Sequence, residues 1–306
     1  MKSSPLILEI KGNSLDDGPG IRTVVFFKGC PLNCVWCHNP ESKKRGVELS
    51  FDANSCVGCN SCIDTCAADA LSRDTPCFVD RDRCTLCFEC VDACPSGAIS
   101  RVGAPMTVDQ IVEKAMKDKP FFDTSGGGVT LSGGEPTLDI PFTSELMKKL
   151  KKKGVRLLME TCGFFNSESF MNLIYPHVDM IYFDMKLMDP EEHKKFCGVS
   201  NGTILENFIM LHNEYRKGGV DIMPRTPLVP DITDTEHNIS AIADFYRKHD
   251  VKKAALLSYN PLWHEKNRKV GVKNPYSDIE KMAHWISREK EEACRAVFRN
   301  AGIEVV

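Results

Sequence analysis

No apolar run in this 306-residue sequence approaches the roughly 18 residues that a membrane-spanning helix needs. The opening residues, Met1 to Glu9, lack the apolar stretch of a secretory signal. Together these absences point to a cytoplasmic protein without a membrane partner. Charge of one sign is also scarce: the net value is only −3, which gives no reason to expect nucleic acid or an anionic surface as partner. Structural disulfides are disfavoured in the cytosol. The chain nevertheless carries fifteen cysteines, far above background for such a protein. Metal ligation is then the leading explanation.

Eleven of those cysteines form three regular groups between Cys30 and Cys94. Two of the groups repeat. Cys56-x-x-Cys59-x-x-Cys62-x-x-x-Cys66 recurs as Cys84-x-x-Cys87-x-x-Cys90-x-x-x-Cys94, with an offset of 28 at all four positions. A repeat this regular implies two pseudo-symmetric units. The spacing is that of bacterial two-cluster ferredoxins, in which the fourth cysteine of each run binds the other cluster. One [4Fe–4S] cluster is therefore expected on Cys56, Cys59, Cys62 and Cys94, and a second on Cys84, Cys87, Cys90 and Cys66. Four-thiolate zinc is the alternative, and two complete runs favour the clusters. Cys66 is followed by Ala67 where the second run has Pro95, which changes no ligand.

Around this segment, short β-rich runs alternate with helical ones. The candidate strands are 23–27, 128–131, 156–161, 180–184, 221–225 and 254–259. A final helix is expected over 278–300, opened by the capping-box pattern Ser277-x-x-Glu280. Alternation of this kind argues for a parallel sheet with helical crossovers. Six units are fewer than the eight of a complete barrel, so a partial barrel and a doubly wound sheet both fit. In either, functional residues collect where strands end. The organisation expected is a first barrel part in residues 1–49, a small ferredoxin-like insert in 50–102, and the remaining barrel in 103–306.

The third cysteine group, Cys30-x-x-x-Cys34-x-x-Cys37, follows the first expected strand and has no fourth partner. His38 is a candidate zinc ligand, but adjacent residues rarely reach one tetrahedral ion together. The other possibility is a [4Fe–4S] cluster with one iron left open, as catalytic metal sites leave a position for substrate. Cys77, Cys162, Cys197 and Cys294 match no ligand spacing and read as packed thiols.

CxxxCxxC after the first strand resembles the signature of radical S-adenosylmethionine (SAM) enzymes. More specifically, the chain resembles glycyl radical enzyme activating enzymes that carry a ferredoxin insert. The resemblance rests on Asp17-Gly18-Pro19-Gly20-Ile21-Arg22, Cys34-x-Trp36-Cys37-His38-Asn39-Pro40, Ser132-Gly133-Gly134-Glu135-Pro136, Asp184-Met185-Lys186 and Gly198-Val199-Ser200-Asn201. It implies a partial (β/α)6 barrel of α/β class. It further implies three [4Fe–4S] clusters, one of which binds SAM through its open iron.

The same resemblance places Trp36, His38, Gly133, Gly134, Glu135, Asp184, Met185, Lys186, Arg225 and Asn260 around the cofactor. Glycines at 133 and 134 allow close backbone approach, and Glu135 offers an anion to an ammonium group. Lys186 and Arg225 suit the SAM carboxylate. Glu160 stands where relatives have an acid near the adenosyl group, which in the family helps bind a monovalent cation. Asn260 stands where relatives often have histidine. Asp17 is expected to hold the glycine loop of a partner enzyme, and reduced flavodoxin or ferredoxin to supply the electron. The alternatives are a radical SAM enzyme for a small molecule or peptide, and a ferredoxin-like electron carrier.

Overall fold

The protein is described by a computed structural model covering residues 5–306; Met1–Ser4, part of the stretch scanned for a signal sequence, lie outside it. Eleven strands are formed among the described residues: β1 (Leu6–Ser14), β2 (Arg22–Phe27), β3 (Glu48–Phe51), β4 (Ile99–Val102), β5 (Ala104–Pro105), β6 (Gly128–Gly133), β7 (Arg156–Thr161), β8 (Met180–Asp184), β9 (Asp221–Leu228), β10 (Lys253–Ser258) and β11 (Glu304–Val305). Nine of them make one sheet in the order β11-β10-β9-β8-β7-β6-β2-β1-β5.

From β2 through β6, β7, β8 and β9 to β10 every neighbour is parallel. These are the six strands expected from the alternation. The sheet is open, ending in β11 on one side and β5 on the other, so no closed barrel forms. Val24, Val25, Val129, Leu131, Met159 and Phe183 are fully or almost fully buried in it. Such runs read as continuously apolar, the pattern of a sheet covered on both faces. The helices that cover it are amphipathic. Val108–Met116 buries Ile111 and Ala115 and opens with a reciprocal capping box between Thr107 and Gln110.

Among the departures from expectation are β1 and the final helix. Strand β1 was not anticipated; it pairs antiparallel with β2 and is largely exposed, so its apolar alternation is weak. The helix expected from Asp278 begins only at Arg288, where Ser287 caps the amide of Lys290. Before it, Pro275–Asp278 and Glu280–Ala283 form separate 3₁₀ turns. The pattern Ser277-x-x-Glu280 mimicked a cap. Met282 is buried because its segment crosses the strand ends: Tyr259 donates its hydroxyl to the Met282 carbonyl at 2.7 Å.

The cysteine-dense segment is bracketed by β3 and β4, which pair antiparallel with Glu48 opposite Val102. It has its own small core of Leu49, Leu71, Phe78, Val79 and Ile99 with Cys62 and Cys90. The repeat of 28 residues extends to the backbone. Short helices Ser61–Asp64 and Glu89–Asp92 correspond. Left-handed positions also correspond at Gly58 and Leu86, Asn60 and Phe88, Asp69 and Gly97. Leucine and phenylalanine adopt this conformation at a cost. Left-handed residues of this kind allow tight loops, in which successive amides can form an anion-binding concavity.

Candidate active site

A cavity of about 420 Å³ opens at the C-terminal ends of the parallel strands. Cys30, Cys34 and Cys37 line it from the loop after β2. Ser132, Gly133 and Gly134 come from β6, Glu160 and Thr161 from β7, and Asp184 and Lys186 from β8 and the residues after it. Arg225 comes from β9, and Ser258, Tyr259 and Asn260 from the end of β10. Every expected strand thus delivers polar or ligand-type residues to one space, as parallel α/β sheets do.

The cysteine loop is fixed by its backbone. Gly29 N donates to Ser42 O at 2.6 Å and Cys30 N to Lys43 O at 3.1 Å. On the far side Asn33 N donates to Cys197 O at 2.7 Å, and Val35 N to Phe196 O at 3.0 Å. Trp36 is 4% exposed and packs with Leu32, Leu187, Tyr259 and Trp263 under the loop. His38 reaches Asn260 at 3.4 Å. Burial, reinforced by Lys266, drops the His38 pKa to about 4, so the ring is neutral.

The thiols are strongly differentiated. A hydrogen bond from the Cys197 thiol, aided by Lys186 and Lys43, lowers Cys34 to about 7 against the effect of burial. Burial pushes Cys37 up to about 12. The Cys162 thiol is raised by its hydrogen bond to Cys30, then by burial and the Glu135 charge. Among the described residues no three His, Cys, Asp or Glu side chains converge tightly enough for a single metal ion. Three thiols of one loop facing a roomy cavity suit a larger, three-point-held group.

An ionic network spans four strand ends. Arg225 donates Nη1 to Glu160 Oε1 at 2.6 Å. Its Nε and Nη2 reach Asp184 Oδ1 at 3.1 and 2.9 Å. Ser132 donates to Glu160 Oε2 at 2.6 Å, and Lys186 Nζ to Asp184 Oδ2 at 3.1 Å. Burial disfavours the Asp184 carboxylate, but Lys186 and Arg225 outweigh it and hold the pKa below the usual range. Burial likewise opposes the Lys186 charge; Asp184 and the neighbouring sulfurs outweigh it and raise the pKa. Arg225 also lies over the Tyr182 ring, 4.8 Å from its centroid.

Two residues nominated from sequence do not line this cavity. Glu135 is 2% exposed and its carboxylate is consumed internally. Oε1 accepts from Thr137 N, Thr137 Oγ1 and Thr161 Oγ1 at 3.2, 2.8 and 2.9 Å, and Oε2 from Cys162 N at 2.8 Å. It ties the ends of β6 and β7 instead of offering a free anion. Met185 is 2% exposed and belongs to the main apolar core, because strand alternation turns it away from Asp184 and Lys186. The glycines also serve the sheet first. A Cβ on Gly134 would lie 2.1 Å from Gly29 O, and Gly133 has φ +101°.

Sequence reasoning missed the polar brackets behind the site. Asn238 Nδ2 donates to Lys186 O at 3.0 Å and Thr233 O at 2.8 Å, while its Oδ1 accepts from Met188 N at 3.0 Å. Asn201 donates to Leu187 O and Met188 O. Arg22 is 2% exposed and clamps the Asp17–Gly20 turn, donating to Thr130 Oγ1, Val129 O and Pro19 O. Asp17 and Asp16 also line the cavity. Asn201 and Arg22 were legible as parts of motifs; nothing local marked Asn238.

In the insert, Cys66, Cys84, Cys87 and Cys90 line one small apolar cavity with Leu49, Leu71 and Phe88. Cys94 belongs to the other group, within electrostatic reach of Cys59 and Cys62. Cys66, the fourth cysteine of the first run, thus lies with Cys84, Cys87 and Cys90 of the second.

A family profile described as "4Fe-4S single cluster domain" matches residues 16–204. The isethionate sulfite-lyase activating enzyme of Nitratidesulfovibrio vulgaris is 37% identical over 91% of this chain and 91% of its own length. The trans-4-hydroxy-L-proline dehydratase activating enzyme of Clostridioides difficile is 36% identical over 96% of both chains. The benzylsuccinate synthase activating enzyme of Thauera aromatica is 39% identical over 80% of this chain and 75% of its own. In fold the chain is similar to a radical SAM methyltransferase from Sphaerobacter thermophilus, with TM-score 0.55 over 99% of this chain and 76% of that one at 12% identity. Set beside a three-cysteine loop at the C-terminal edge of a parallel sheet, these likenesses decide the family: the chain belongs to the radical SAM activating enzymes of glycyl radical enzymes.

Proposed function

We propose that this protein cleaves SAM reductively and uses the resulting 5′-deoxyadenosyl radical to take a hydrogen atom from a glycine of a partner glycyl radical enzyme. The observation that carries the reading is the convergence of Cys30, Cys34 and Cys37 with six strand ends on one cavity. When bound to those cysteines, a [4Fe–4S] cluster supplies the single electron that breaks a carbon–sulfur bond of the sulfonium. Methionine leaves with the electron pair on sulfur. Hydrogen transfer then gives 5′-deoxyadenosine and a glycine-centred radical on the partner.

The chain's own residues bind and orient. Lys186 lines the cavity with the cysteine loop and suits the SAM carboxylate, as does Arg225. Gly133, Gly134, Trp36, His38 and Asn260 line the same space. Asp17 stands at the mouth, where a glycine loop must enter. Beside Glu160 the countercharge that the resemblance assigns to a monovalent cation is supplied by the Arg225 guanidinium. No residue need act as acid or base; position and exclusion of water suffice.

The insert cysteines fit two further clusters, three in all, with reduced flavodoxin or ferredoxin as electron donor. No helix among the described residues is long and apolar enough to cross a membrane. We place the enzyme in the cytoplasm, where its fifteen cysteines stay reduced.

Anaerobic reconstitution tests this. About twelve irons per chain are expected. Reduction with SAM should release 5′-deoxyadenosine, and EPR with the cognate partner should show a glycine-centred doublet. Consumption of a small substrate with no doublet from any candidate partner would transfer the protein to the small-molecule or peptide class.

A further inference from the structure

Past the end of β8 at Asp184 the chain leaves the sheet, and Met185 N donates to Arg225 O at 2.7 Å as it does so. The backbone that follows is held by the side chains of two asparagines distant in sequence. Asn238 Nδ2 donates to Lys186 O at 3.0 Å, and its Oδ1 accepts from Met188 N at 3.0 Å. Asn201 Nδ2 donates to Leu187 O at 2.9 Å and to Met188 O at 2.8 Å. Three consecutive carbonyls and one amide thus end on two side chains, both of them buried. The asparagines are themselves fixed. Asn238 stands in the first turn of the helix Glu236–Lys248, its N–H donating to Thr235 Oγ1 at 3.2 Å and its Nδ2 also to Thr233 O at 2.8 Å. Asn201 immediately precedes the helix Gly202–Arg216, and the turn before it is pinned where His193 Nδ1 meets Val199 O at 2.6 Å. Neither asparagine lines the cavity, whereas Lys186 does.

We propose that Asn201 and Asn238 are positioning residues: they fix the backbone of Lys186 so that its ammonium meets the carboxylate of SAM. The inference rests on the assignment of Lys186 to that carboxylate. A lysine ammonium rides on a flexible four-carbon stem and has no fixed direction of its own. Its place is therefore set from two ends. Asp184, on the sheet, holds Nζ at 3.1 Å. The asparagines hold the main chain, beyond the point where the ladder with β9 stops. Asparagine suits this task because it is donor and acceptor at once, so one side chain bonds a carbonyl and an amide of the same turn. Loss of either residue leaves buried backbone groups without a partner, and the segment shifts to find one. That shift carries Lys186 away from a short, directional, charge-assisted bond. The carboxylate takes no part in the bond that breaks, so holding it contributes equally before and during cleavage. Affinity for SAM then depends on the two asparagines, and the rate at saturation does not.

The test uses the full-length reconstituted protein. SAM affinity is measured by equilibrium dialysis, beside KM and kcat for release of 5′-deoxyadenosine. Asn201→Leu and Asn238→Leu preserve volume and remove the bonds. Each is expected to weaken SAM binding about tenfold, the scale of one lost buried hydrogen bond, and to raise KM while kcat holds. In a Lys186→Met background neither change should weaken SAM further, because the lysine through which they act is gone. Without SAM, the peptide containing Met188 should exchange its amide hydrogens faster in Asn238→Leu than in wild type. Asn201→Ser and Asn238→Ser, milder losses of the same bonds, carry the cycle where a leucine variant fails to retain iron. A Lys186→Met protein that binds SAM like wild type would remove the carboxylate assignment, and this inference with it. With that assignment intact, wild-type affinity in both asparagine variants, a loss that persists in Lys186→Met, or a fall in kcat at constant KM would each overturn the inference alone.

Discussion

Arg225 grips Glu160 and Asp184 at the same time, at 2.6 and 2.9 Å, and so ties β7, β8 and β9 together at the cavity floor. The guanidinium is only 12% exposed, so removing it leaves two carboxylates short of their partner. Arg225→Met should destabilise the fold by about 3–5 kcal/mol, the usual result of breaking a buried pair from one side. SAM binding, followed by equilibrium dialysis, should weaken as well. Arg225→Lys should recover part of the stability but not the two-sided grip. An Arg225→Met protein that unfolds like wild type in denaturant would show the network to be ornamental.

The crossing of cysteines between the two insert units has a sharp experimental signature. Cys66→Ala and Cys87→Ala should deplete the same cluster, and Cys94→Ala and Cys59→Ala the other one. Each variant should lose up to about four of about twelve irons. Combining Cys66→Ala with Cys87→Ala should cost no more iron than either alone. If instead Cys66→Ala and Cys59→Ala proved redundant with one another, the units would be independent and the crossing wrong.

Lys28 joins the main sheet to the insert. Its ammonium is fully buried, 2.7 Å from Glu48 Oε2 and 2.6 Å from Glu41 O. Lys28→Met is expected to cost about 3–5 kcal/mol by leaving Glu48 buried without its main partner. The double variant Lys28→Met, Glu48→Leu should recover much of that loss, because apolar replacement of a buried pair is often neutral. Urea unfolding monitored by circular dichroism compares the two. Equal losses in both would mean that packing, not charge, governs the seam.

His212 is a source of acid sensitivity remote from the cysteines. It is 4% exposed, stacks on Phe208 at 5.7 Å and contacts the His249 carbonyl through Nε2 at 3.1 Å. Burial lowers its pKa, with Arg216 and His249 adding to the effect and the carbonyl opposing it. The unfolded chain therefore binds a proton near pH about 6.5 that the folded chain refuses. Stability is full above that value and declines as pH falls through it toward the folded value. His212→Gln keeps a donor for the carbonyl and does not titrate. Its unfolding free energy should drop less than wild type between about pH 7.5 and about pH 5.5. Parallel declines in both proteins would assign the acid sensitivity elsewhere.

Much of this could be seen before any coordinates. The six parallel strands were legible because each is a short apolar run bounded by polar residues, and the cysteine groups because spacing is itself the signal. What failed was what depends on neighbours distant in sequence. Ser277-x-x-Glu280 has the pattern of a helix start, yet its segment is drawn across the strand ends by Tyr259 and never winds into a helix until Ser287. Glu135 looks like an offered anion in a glycine turn, but four donors close on it only once β6 and β7 are adjacent. Met185 sits between two site residues in sequence and faces the opposite side in space. Strand β1 was invisible because it is largely exposed and offers little apolar contrast.

The antiparallel pairing of Glu48 with Val102 brings the two cut ends of the main domain to about one strand spacing, roughly 5 Å. Everything between them is thus a cassette hung on a hairpin stem. A tight turn of two residues could replace it without re-routing a single strand of the nine. Away from the stem, Lys269 would lose its 3.0 Å ion pair with Asp52.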